Sequence, residues 1–148
     1  MILKRILLPF DGSKLSRKAL EMGKDITRNF NADLTILMVI PVYYPISDSI
    51  FSGVSASNYR KMLNRLQEEG EKKVEEVTER CREEGVKANY KVVSDDVSEA
   101  IIKEAKRGKA DLIIMGSRRM TGLSSIRRMG STARYVSEHA PCPVTIVH

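Results

Sequence analysis

The sequence predicts an α/β domain built on a parallel sheet, and three observations carry that expectation. Short, almost continuously apolar runs at residues 2–10, 34–40, 111–115 and 144–147 alternate with longer stretches whose apolar residues recur every three or four positions. The runs are too uniformly apolar for a sheet with one wet face, so helices must cover both faces. Proline, glycine or a capping residue punctuates the joins, as expected where strands and helices take turns along a chain. Strands alternating with helices in this way form parallel sheets.

Residues 2–10 read as the first strand, closed by Pro9, which cannot donate to a ladder. Asp11-Gly12-Ser13 is a turn ending in an N-cap, and the first helix follows with Leu15, Ala19, Met22, Gly23, Ile26 and Phe30 at helical spacing. The second strand, 34–40, is apolar throughout and stops at Pro41. Residues 42–57 read as an irregular excursion, and a loop this long in a compact domain is usually functional or mobile. From 56 to 84 the apolar residues Tyr59, Met62, Leu63, Leu66, Gly70, Val74, Val77 and Cys81 form one stripe on a long, otherwise charged helix, with Gly85 closing it.

The third strand spans 86–94, with Val86, Ala88, Tyr90 and Val92 on one face. Asp96-Val97-Ser98-Glu99 has capping-box spacing and opens the third helix. That helix ends at Gly108, with Lys103, Lys106 and Arg107 in its last turns, where the dipole favours cations. The fourth strand, 111–115, breaks at Gly116. A loop follows, and the fourth helix runs from 131 to 139. Pro141-Cys142-Pro143 ends it, and 144–147 is the last strand.

At 148 residues the chain is one domain, spanning 1–148, that needs no staples to bury a core. Neither a secretory leader nor a membrane span is visible, which makes the cytoplasm the default compartment. Cys81, Cys142, His139 and His148 show no metal-ligand or catalytic spacing. The net charge of +6 suggests anions. Much of it sits in one loop, 117–129, with four arginines and no acid, and the chain has no RNP-like aromatic pattern and no Trp, with only eight Phe or Tyr in all. That argues for a small anion over nucleic acid.

The loop joins a strand end to a helix start, and exposed helix N–H groups beside basic side chains are the parts of a phosphate site. Gly116 and Gly130 let the backbone approach, Ser131 and Thr132 add hydroxyls, and Arg118, Arg119, Arg127 and Arg128 add forked donors. In parallel α/β sheets ligands sit at the carboxyl ends of strands where the strand order reverses. The turns after the first and fourth strands would flank that point. Asp11 then holds a ribose hydroxyl or a metal bridging phosphates, or else caps the first helix with Ser13; the residues leave both open. The strand end near Val39 offers backbone contacts to a base. There is no GxxxxGK[ST], no GxGxxG and no visible general base, so covalent or general-base catalysis is not indicated.

The opening ILLPFDGS, the second-strand LTILMVIPV, the block DLIIMGSRR…TGL…GST and the closing HAPCPVTIVH together resemble the universal stress proteins of the UspA type, over nearly the whole chain. The resemblance implies a Rossmann-like, adenine nucleotide alpha hydrolase-like sheet of five parallel strands in the order 3-2-1-4-5. It also implies a homodimer pairing through the final strand, Val144–Val147, and, in one branch, ATP bound with a divalent metal such as Mg2+. That branch carries a glycine, two residues, a second glycine, nine residues, then glycine with Ser or Thr. Matched here, Gly116 is the first glycine and Gly130-Ser131 the last, and Pro9, Asp11 and Val39 match the remaining nucleotide contacts. Arg119 stands at the second glycine, with ten residues between it and Gly130, and Gly122 restores some freedom to the loop.

The expected site is therefore Pro9, Asp11, Val39, Gly116, Ser117, Arg118, Arg119, Gly122, Gly130, Ser131 and Thr132. ATP or AMP is the ligand, any hydrolysis is slow, and Asp11 is the single metal candidate. The alternative is a nucleotide-free dimerisation or partner-binding module in which Arg119 has abolished ATP binding, acting on a protein partner that the sequence does not identify. The membrane is not a partner in either reading.

Overall fold

A computed structural model describes residues 2–42, 56–117 and 129–148. The elements run β1 (Arg5–Pro9), α1 (Lys14–Phe30), β2 (Asp33–Pro41), α2 (Ala56–Glu83), β3 (Ala88–Asp95), α3 (Val97–Arg107), β4 (Leu112–Gly116), α4 (Ser131–His139) and β5 (Val144–Val147). The strands form one parallel sheet in the order β3-β2-β1-β4-β5, as expected. The excursion at 43–55 and the arginine loop at 118–128 lie outside the described residues.

The continuous apolar runs have a simple cause, because successive strand side chains point to opposite faces and both faces are covered. Ile6, Leu8, Leu34, Ile36, Met38 and Ile114 enter one core with Ala19 and Leu20 of α1 and Val74 and Cys81 of α2. Their neighbours Leu7, Leu37, Ile113 and Met115 enter the other, with Ile101, Ile102 and Ala105 of α3 and Ala133 and Val136 of α4. Each such fully buried aliphatic side chain contributes roughly 1.5–3 kcal/mol.

Several boundaries differ from the sequence expectation. β1 begins at Arg5 instead of residue 2, and Ile2 is exposed. β3 is shifted to Ala88–Asp95. β4 continues through Gly116, which pairs with Val147, whereas Asp111 lies outside the strand. The Asp111 carboxylate instead accepts the backbone N–H groups of Lys4 (3.0 Å) and Arg5 (2.9 Å), tying the start of β1 to the start of β4. The capping box of α3 is half formed. Asp96 accepts the N–H of Glu99 at 3.1 Å, but the Asp96 N–H goes to Asp95 and the Glu99 carboxylate accepts the Tyr135 hydroxyl of α4. Gly85 does close α2, with a φ of +79°. The α2 stripe is buried at Gly70, Val74 and Cys81, but Met62 and Leu66 are exposed.

Candidate functional site

The expected site lies where β1 and β4 part. Their ladder pairs Ile6 with Leu112 and Leu7 with Ile113. Beyond it each strand follows its outer neighbour. The Phe10 N–H donates to the Leu37 carbonyl of β2 at 2.8 Å, and the Ser117 N–H donates to the Val147 carbonyl of β5 at 2.8 Å. The carboxyl ends therefore diverge at the reversal of strand order, where open α/β sheets bind ligands. Because each helix runs back against its strands, α1 and α4 both bring their N-termini to this edge.

The two helix starts are satisfied differently. At α1, the Asp11 Oδ1 accepts the Ser13 N–H at 2.9 Å, and the Ser13 Oγ accepts the Ser16 N–H at 3.2 Å. The turn passes through Gly12 at φ +81°, a conformation costly for a side-chain-bearing residue. Ser13 is thus the cap, Asp11 steadies it by accepting its N–H, and Asp11 remains exposed at the edge. At α4 the N-cap is Gly130, buried and with no side-chain hydrogen bond to the helix. The first N–H groups of a helix have no intrahelical acceptor, so those of Ser131, Thr132 and Ala133 have none within α4. Their partial positive charge suits an anion.

Pro9 is the last residue of β1, half-buried and paired with Leu37. In β2 the odd-numbered residues turn their backbone groups toward β1, as the Asp33-to-Lys4 and Phe10-to-Leu37 bonds show. Val39 therefore aims its N–H and C=O to the β1 side, past the Phe10–Leu37 bond that ends the pairing. Its half-buried side chain packs on the core under α3 and α4. Gly116 has a packing role. A Cβ there would lie 2.8 Å from the carbonyl carbon and from the Cβ of Leu15 in α1. Ser117 is fully buried, and its Oγ has no hydrogen-bond partner among the described residues. Arg118, Arg119 and Gly122 lie outside the described residues. The structure thus brings Pro9, Asp11, Val39, Gly116 and Ser117 to one edge, with Gly130, Ser131 and Thr132 at the helix start above it.

The universal stress protein family model matches residues 3–148. The chain belongs to the universal stress protein family. It is 33% identical over 145 residues to universal stress protein MJ0531 of Methanocaldococcus jannaschii, covering 97% of this chain and 81% of that one. The solved structure of the M. jannaschii protein MJ0577 superposes with a TM-score of 0.81 at 28% identity, covering 99% of this chain and 96% of that one. A universal stress protein solved in complex with cAMP superposes with a TM-score of 0.69 at 25% identity, covering 100% and 99%. Among the described residues of this family member, no helix is long and apolar enough to cross a membrane, and no group of three or more His, Cys, Asp or Glu side chains could hold a metal.

Proposed function

We propose that this universal stress protein is a regulatory module that binds an adenine nucleotide, ATP or AMP, at the carboxyl edge between β1 and β4. The observation that carries the reading is the Ser117 Oγ, buried at the end of β4 without a partner among the described residues. An unmade hydrogen bond at a buried hydroxyl costs about 1–3 kcal/mol, and a phosphate oxygen would accept it. The N–H groups at the start of α4 and the hydroxyls of Ser131 and Thr132 would take further phosphate oxygens. The backbone of Val39 would read the base, and the Asp11 carboxylate would accept from the ribose. The relative solved with cAMP supports an adenine nucleotide as the ligand class.

Mg2+ would accompany a triphosphate. It binds through one or two carboxylates together with phosphates and water, so the exposed carboxylate of Asp11 fits it without a larger acidic cluster. The work done by these residues is binding and ordering, and any hydrolysis would be slow. Purified protein melted with and without Mg-ATP, and weighed by native mass spectrometry, tests the reading.

A second reading, a nucleotide-free partner-binding module, is favoured by one observation. Leu15 fills the space beside Gly116, so this glycine is needed for packing whether or not a nucleotide is bound. Arg119 in place of the motif's second glycine points the same way. In both readings we propose a homodimer that pairs through β5, the outer strand of the sheet.

A further inference from the structure

The backbones of α3 and α4 approach closely over one face of the sheet, whereas those of α1 and α2 stay farther apart over the other. Between them lies a cavity of about 440 Å³. α1 lines it with Lys14, Arg17, Lys18 and Lys24, and α2 adds Arg80; the carboxylates present are Glu21 and Glu84. Both acids are already engaged, because the Lys24 Nζ sits 2.7 Å from each and Arg28 lies 3.2 Å from Glu84. This network ties the two helices together at the amino edge of the sheet. The hydrogen bonds from Lys24 hold the Glu84 carboxyl below its ordinary range.

The remaining cations differ in their commitments. The Lys18 ammonium donates to the His148 carbonyl, and the Arg17 Nε donates to the Gly12 carbonyl. The side chains of Lys14 and Arg80 have no hydrogen bond or ion pair among the described residues, although the Arg80 carbonyl accepts the Glu84 N–H. The floor is apolar, formed by buried Phe10, Leu20 and Cys81 with half-buried Val77. Charge on both walls and an apolar floor suit an amphipathic anion, whose oxygens the forked Arg80 donors and the Lys14 ammonium would take.

We propose that the groove between α1 and α2 is a second ligand site, for a small organic anion that joins a phosphate or dicarboxylate head to an apolar body. The groove starts beside the β1/β4 edge, at Phe10 and Lys14, and runs along α1 and α2 away from it; the proposal does not depend on nucleotide binding at that edge. The test is an amide-resolved NMR titration of the full chain with phenyl phosphate and with phthalate, using sulfate as the head group without a body. The expected result is saturable shifts confined to residues 14–24 and 77–84, with at least one organic anion binding about tenfold tighter than sulfate. Whichever of the two binds tighter assigns the head group. Arg80→Glu and, separately, Lys14→Glu should each weaken binding by about tenfold, with unchanged melting curves. Equal affinity for sulfate, indifference to both substitutions, or shifts confined to 116–117 and 130–133 would overturn the proposal.

Discussion

Gly116 and Leu15 are in contact through the absence of a side chain: a Cβ on Gly116 would stand 2.8 Å from the Cβ of Leu15 and 2.8 Å from its carbonyl carbon. Backbone atoms cannot rotate away, so the first turn of α1 would have to lift off β4. Gly116→Ala is expected to cost about 1–3 kcal/mol, seen as a lower melting temperature with or without nucleotide. A variant of wild-type stability would show that this contact can relax freely.

Ser117 separates stability from binding. Its buried hydroxyl lacks a partner among the described residues, so Ser117→Ala removes an unsatisfied group. The free protein should melt at the same temperature or higher, by up to about 1 kcal/mol. The stabilisation by Mg-ATP should shrink at the same time. Loss of stability in the free protein would show that the hydroxyl already has a protein partner.

Asp111 should carry an acid-sensitive part of the stability. The N–H bonds from Lys4 and then Arg5, outweighing desolvation, hold its carboxyl below the ordinary range. A carboxylate whose folded pKa is depressed stabilises fully above its unfolded pKa of about 4. That contribution fades as pH falls through the lower folded value. Asp111→Ala should therefore cost about 1–2 kcal/mol near neutral pH, and the gap to wild type should close in denaturant titrations below about pH 4. A gap independent of pH would place the effect in packing.

The outer edge of β5 offers a selective test of the proposed assembly. The Ile113 N–H donates to Pro143 and the Ser117 N–H to Val147, so the odd-numbered residues face β4. Val144 and Ile146 thus turn their N–H groups outward. Val144→Pro deletes an outward donor and spares the β4 ladder, and is expected to yield folded monomers by light scattering. A dimer that survives would locate the interface elsewhere.

Much of the architecture was legible because it rests on periodicity. The unbroken run of β2 and the three-and-four spacing of α2 report burial directly. The α1 cap was legible because Asp11-Gly12-Ser13 acts locally. Relations across the sheet were not. Nothing near Asp111 in sequence announces that it holds Lys4 and Arg5, more than a hundred positions away. Glu99 has the spacing of a capping box, yet a tertiary partner, Tyr135, takes its carboxylate. Gly116 looked like room for a phosphate, and only the crossing of α1 over β4 reveals the packing it permits. The groove between α1 and α2 was hidden for a similar reason: its cations read as the wet sides of two separate helices.

The role proposed for the carboxyl edge depends on nucleotide binding at the diverging ends of β1 and β4. Its most direct test is the melting temperature of the wild-type chain in millimolar Mg-ATP, with Gly130→Val as the control. Ligand at a hundred times its Kd stabilises by about 2.7 kcal/mol, so a rise of roughly 5–10 °C is expected, abolished in the Gly130→Val protein. No rise in millimolar Mg-ATP, with no nucleotide found by mass in the purified protein, would contradict it.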